Sequence, residues 1–224
     1  MWVSLNDIEQ ASQKAARGAG YGWGLAEDVG GAARWLAMRG LPFLQPMTTG
    51  VLKQMARLES FDSARQVGSS FGPVESSNRL GPISVLTALL DETLVLPQGS
   101  GELSLRALAG PILLMPALAR LSKRYDRPLL VRWPGAAIEC RSGELTYETV
   151  SRSGLNAAAA DWFSVTRLNA APVASPQVQN VRYQGADVDE NHWWELTTFA
   201  NRGFVLEGET TRLRGAGSGL TDGD

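Results

Sequence analysis

Leu5, Ile8, Ala11 and Ala15 fall on one helical face, and Ser4 followed by Asp7 predicts a capping box ahead of them. The spacing predicts a first helix that ends near Arg17, with Gly18 as its stop. A second stripe, Leu25, Val29, Ala32, Ala33 and Leu36, predicts a helix over residues 25–39, closed by Gly40 and Pro42. A third, shorter helix is predicted over 51–58. Residues 60–78, rich in Ser and Gly with Pro73, read as irregular surface. The apolar run 83–90 fits helix or strand. Residues 94–97 and 103–108 favour strand, separated by a turn at Gln98-Gly99-Ser100-Gly101.

Pro116 suits a first helical position, which predicts a helix over 116–125. Residues 129–133 read as a strand. Residues 136–140 and 144–148 read as a hairpin around Arg141-Ser142-Gly143, and 162–168 as a further strand. Residues 169–178, with Pro172 and Pro176, read as loop. Asp187 and Glu190 predict a second capping box for a helix to Ala200, closed by Gly203, with a short strand at 204–206. Hairpin-like pairs outnumber βαβ units. The expected fold class is therefore α+β: an N-terminal helical hairpin packed on a mostly antiparallel or mixed sheet, with one late helix. No linker interrupts the pattern, so 1–224 reads as a single globular domain with a glycine-rich tail at 212–224.

Composition narrows the chemistry. With 224 residues, 44% of them hydrophobic, the chain can bury a sizeable core without staples. A net charge of −2 leaves no electrostatic footprint for nucleic acid or an anionic membrane. One cysteine, Cys140, excludes an internal disulfide and reads as a buried structural thiol. One histidine, His192, excludes paired-histidine zinc motifs; a metal would need carboxylates and backbone oxygens, magnesium or calcium before zinc, and no pattern points to one. No residue pattern names a cofactor. The apolar run Ala107–Ala119 is too short to span a bilayer, and Met1–Gln10 lacks the pattern of a secretory leader, so the expected location is cytoplasmic.

The hexapeptide Arg-Gly-Ala-Gly-Xaa-Gly occurs twice, at residues 17–22 and 214–219. Each copy has the composition of a tight loop able to cradle an anion with N–H groups beside an arginine, and equally that of a plain helix connection. The first copy precedes a helix N-terminus, which favours anions, although Glu27 and Asp28 are expected in that helix's first turn. This reading nominates Arg17, Gly18, Gly20, Gly22, Trp23, Arg214, Gly215 and Gly217 as ligand contacts. Glu27, Asp222 and the lone imidazole of His192 are the acid–base candidates. Gly68-Ser69-Ser70-Phe71-Gly72 matches G-x-S-x-G, and Ser70, Asp161 and His192 follow hydrolase order. Pro73 falls where the required helix should run, which argues against a nucleophile elbow.

The opening, from Ser4-Leu5-Asn6-Asp7-Ile8-Glu9 through Lys14-Ala15-Ala16-Arg17-Gly18-Ala19-Gly20 to Trp23-Gly24-Leu25-Ala26-Glu27, resembles an uncharacterised bacterial family, domain of unknown function 3726. The closing Gly215-Ala216-Gly217-Ser218-Gly219-Leu220-Thr221-Asp222 is similar to that family's end. Here the chain finishes Asp-Gly-Asp where the family has Asp-Asn-Asp. The resemblance carries no activity and implies only that both glycine segments are characteristic. The expected function is binding of a small anionic metabolite by the two RGAG loops, in a soluble protein able to act as a metabolic enzyme. The alternative is a non-catalytic accessory subunit, for which the apolar run Leu103–Leu121 would be a partner surface.

Overall fold

The computed structural model describes residues 1–52, 65–67, 70–73, 78–96, 101–168 and 183–202. The fold is α+β, with N-terminal helices packed against a mixed sheet and one late helix, as the pattern predicts. In chain order the helices are α1 (Leu5–Ala19), α2 (Trp23–Ala37), α3 (Leu44–Met47), α4 (Pro82–Leu90), α5 (Met115–Arg124), α6 (Arg152–Leu155) and α7 (Glu190–Arg202). The strands are β1 (Trp2–Ser4), β2 (Arg65–Val67), β3 (Ser70–Gly72), β4 (Glu102–Ala109), β5 (Leu129–Trp133), β6 (Ala136–Arg141), β7 (Glu144–Val150), β8 (Ala159–Arg167) and β9 (Gly185–Asp187).

The main sheet runs β2-β3-β4-β8-β5-β6-β7 and is antiparallel except where β3 meets β4. Period-2 alternation shows directly in the register. Leu103, Val165, Val131, Ile138 and Tyr147 form one row across five strands, and helices cover it. The next row, Ser104, Ser164, Arg132, Ala137 and Thr149, faces the other way. In the helical layer, α1 packs against both α2 and α7, and α5 lies on β6. A two-stranded sheet, β1 with β9, ties the start of the chain to the entry of α7.

Local signals explain most boundaries. The Asp7 N–H donates to Ser4 Oγ at 3.2 Å, and the Ser4 hydroxyl donates to Asp7 Oδ2 at 2.6 Å, so the first cap forms as predicted. The helix does not stop at Gly18. It continues to Ala19, and Gly20 at φ 111° ends it, with Gly20 N–H donating to Arg17 O and Tyr21 N–H to Ala16 O. This crossed pair of bonds is the Schellman termination, which needs a left-handed residue. The second helix starts two residues earlier than its apolar stripe, so Glu27 and Asp28 lie in its second turn and not at its N-terminus.

Three further expectations are corrected, and one left open is resolved. The open assignment at 83–90 resolves as helix. Leu94–Leu96 is not a strand: the Leu94 N–H turns back to Ala88 O, and the Leu94 and Leu96 side chains fill the core from a loop while Val95 is exposed. The stretch read as irregular surface contains the short β2–β3 hairpin, whose three-residue strands are too brief to show alternation. The cap of α7 is Asp189, whose Oδ1 accepts from His192 N at 3.0 Å, while Asp187 belongs to β9. Val51 and Leu52 form a π-helical turn after α3; the rest of the helix expected over 51–58, the loop at 169–178, the strand at 204–206 and the tail lie outside the described residues. The apolar run Leu103–Leu121 is consumed by β4, the Pro111–Leu114 turn and α5, with Leu105, Leu108, Ile112, Leu113 and Leu118 buried in this chain's own core.

One glycine in α2 is dispensable. A Cβ on Gly31 would meet nothing within 4 Å, and Gly costs a helix interior about 1 kcal/mol relative to Ala. Gly31→Ala is expected to stabilise the protein by about 0.5–1 kcal/mol, read as a higher urea midpoint at unchanged slope.

Candidate functional site

The first RGAG segment is built into a helix junction. Gly18 lies in the last turn of α1 against the Phe199 carbonyl of α7, Gly20 terminates α1, and Gly22 is the N-cap of α2. Arg17 Nη1 donates to Tyr21 O at 2.6 Å, and its guanidinium lies 4.4 Å from the centre of the Trp23 ring. Trp23 itself is exposed. Tyr21 is buried, its hydroxyl without a partner among the described residues, and burial pushes its pKa up. The structure thus brings Arg17, Gly18, Gly20, Gly22 and Trp23 together. Arg214, Gly215, Gly217 and Asp222 lie outside the described residues.

Glu27 faces a different feature. Along α2, Glu27, Gly31 and Trp35 recur every four residues and so share one face, and Arg39 follows in the turn after the helix. That face borders a cleft of about 420 Å³ whose other walls are Leu86 and Leu90 of α4, Pro116, Arg120 and Lys123 of α5, and the β6–β7 turn. The turn has Ser142 at φ 49° and Gly143 at φ 88°, the pattern of a type I′ hairpin. It docks on α5 where the Gly143 N–H donates to Ser122 Oγ at 3.2 Å. Six charged side chains line the cleft: Arg39, Arg120 and Lys123 against Glu27, Asp28 and Glu144. The Arg39 guanidinium stacks on Trp35, 3.8 Å from the ring centre. Asp28 Oδ2 accepts from the Thr87 hydroxyl at 3.1 Å. Arg120 and Lys123 form no ion pair among the described residues. A recess of about 240 Å³ continues the cleft past Asp28 and Arg120 to Arg124, which pairs with Glu92 at 2.7 Å.

His192 lines neither of these. It borders a second groove of about 690 Å³ between α3, α6, β9 and the start of α7. Its Nδ1 lies 3.3 Å from Glu195 Oε2 and 3.4 Å from Thr48 Oγ1. Glu27 and His192 therefore serve separate cavities. Sequence reasoning missed Trp35, Arg39, Arg120 and Lys123, whose signal was the i, i+4 stripe on α2 and the cation spacing on α5. It also missed Glu195, three residues beyond His192 on a predicted helix.

The hydrolase-like order has no matching site. Ser70 opens β3, which runs on as strand through Gly72 where an elbow needs a helix, and Asp161 is an exposed residue of β8. Cys140 is buried in β6, and burial pushes its thiol pKa up, so it is a poor nucleophile. Among the described residues no three His, Cys, Asp or Glu side chains gather to hold a metal, and no helix is long and apolar enough to cross a membrane.

No curated protein and no solved structure matches the chain. The closing glycine segment lies outside both the described residues and the family match. The family model described as Protein of unknown function (DUF3726) matches residues 3–69, from β1 through β2, and the resemblance read from the opening residues is shown for this segment.

Proposed function

We propose that this protein binds a small anionic molecule in the cleft between α2 and α5, and that the molecule also carries a hydrogen-bond donor or a positive group. The observation that supports the reading is the convergence of Arg120 and Lys123 from α5 with Arg39 from the turn after α2, with Arg120 and Lys123 in no ion pair among the described residues. A cation without an ion-pair partner on a concave surface attracts an anion. Arginine suits a planar carboxylate or a phosphate through its forked donors. Glu27, Asp28 and Glu144 on the same cleft favour a ligand of both signs, such as an amino acid or an aminated acid. Should the bound molecule react, Glu27 is the acid–base candidate from the sequence that lines this cleft.

Thermal shift and calorimetric titration with glutamate, citrate and pyrophosphate test the reading. A ligand that binds only the folded state raises the melting temperature by mass action. Arg120→Ala with Lys123→Ala is expected to weaken that ligand at least about tenfold, since a charge-assisted bond contributes about 1.5–3 kcal/mol. Arg17→Ala with Arg214→Ala tests the glycine loops in the same assay. Binding lost in the loop pair but kept in the cleft pair, or no stabilisation by any of the anions, would overturn the cleft.

A further inference from the structure

The second groove shares no lining residue with the anion cleft, and its chemistry differs. Two exposed aromatic side chains stand on it: Trp2, 60% exposed, and Tyr183, 47% exposed. Both rings are seated on glycine. The Tyr183 ring comes within 2.8 Å of where a Cβ on Gly40 would stand, and Trp2 packs on Gly185 with equal closeness. Rings fixed in this way present a face at low entropic cost to whatever enters. Asp187 and Asp189 add carboxylates, and Arg152 is the groove's one arginine.

The imidazole beside them is oriented. The Thr48 hydroxyl donates to Leu44 O at 3.0 Å, so its oxygen is left as an acceptor towards His192. Ionised Glu195 is also only an acceptor. Both neighbours accept a proton from Nδ1, so in the neutral imidazole the lone pair is on Nε2.

We infer that this groove is a second ligand site, for an organic amine on an aromatic or apolar frame. The ammonium donates to Nε2 of His192, its charge is balanced by Asp187 and Asp189, and its frame packs on Trp2 and Tyr183. Cations are attracted to aromatic faces and carboxylates alike, whereas an acid of the same shape meets two carboxylates and a lone pair, with Arg152 as its one favourable charge among the described lining residues.

His192 is the chain's only histidine, so its imidazole signals in an NMR spectrum are unique. Nitrogen-correlated spectra of the labelled protein are expected to report the Nδ1–H tautomer. Titration with phenethylamine is expected to shift the His192 and Trp2 ring signals together, while 3-phenylpropionate at the same concentration shifts neither. His192→Gln and, separately, Trp2→Ala are expected to weaken phenethylamine at least about tenfold, as for loss of a charge-assisted bond or a ring contact. Unchanged circular dichroism and melting temperature establish that each variant folds. An Nε2–H tautomer, equal or tighter binding of the carboxylate, or no response to phenethylamine at millimolar concentration would overturn the inference. None of these results bears on the anion cleft, whose residues are untouched.

Discussion

Gly18→Ala is expected to destabilise the protein by about 2 kcal/mol, although alanine is the better helix former by about 1 kcal/mol. A Cβ on Gly18 falls on the Phe199 carbonyl of α7 and within 3.3 Å of Arg202 Cβ. Those Phe199 atoms are backbone and cannot rotate aside, so α1 and α7 must move apart. Overpacking costs about 1–3 kcal/mol and more where nothing yields, which places this site at the upper end before the helix gain is subtracted. In a chain of this size 1 kcal/mol moves the melting temperature by about 2–4 °C. A drop of about 4–8 °C is therefore expected for Gly18→Ala, against a rise for Gly31→Ala. The same chemical change has opposite sign at the two positions because one glycine touches a neighbouring backbone and the other faces open space. A Gly18→Ala protein that melts at or above the wild-type temperature would mean that the two helices do not meet there.

That contrast marks how far the sequence could be read. The apolar stripes of α1 and α2, the Pro116 start of α5 and the β6–β7 hairpin were legible, because each rests on a local signal. The turn chemistry of Ser142-Gly143 was legible for the same reason. What a glycine does was not. Gly18, Gly20 and Gly22 sit in one hexapeptide, yet one packs on α7, one supplies a left-handed φ and one caps α2. Only the second of these roles is local enough to follow from sequence. The Arg17 guanidinium looked available for an anion, but its bond to Tyr21 O and its stack on Trp23 use part of that capacity within six residues. The cleft stayed hidden because its cations come from α5 and the turn after α2, whose adjacency is tertiary information. His192 was visible as a lone imidazole, and its orientation was not, since Thr48 reaches it from the other end of the chain.

Trp133→Ala is expected to cost about 3–5 kcal/mol, as for other buried tryptophans truncated to alanine, and to lower the melting temperature by on the order of 10 °C. Trp133 ends β5 fully buried, and its ring stacks on Phe163 of β8 with centroids 5.8 Å apart and planes 19° from parallel. Its Nε1–H donates to Gly154 O of α6 at 2.9 Å. Two functions of one side chain can be separated by Trp133→Phe, which keeps an aromatic ring on Phe163 and removes the donor. Gly154 O retains the Ala157 N–H at 3.3 Å, so the stability cost of losing this bond is expected to be only about 1 kcal/mol. The consequence for binding is larger than that figure suggests. Helix α6 is four residues long and depends on such tethers, and its Arg152 and Leu155 line the second groove. With the tether gone, the wall they form loses its fixed position while the α2–α5 cleft keeps all its residues. Trp133→Phe is thus expected to weaken phenethylamine several-fold and to leave anion-dependent stabilisation unchanged, measured on the same preparation by NMR titration and thermal shift. Equal loss at both sites would show that Trp133 supports the fold as a whole and not α6 in particular.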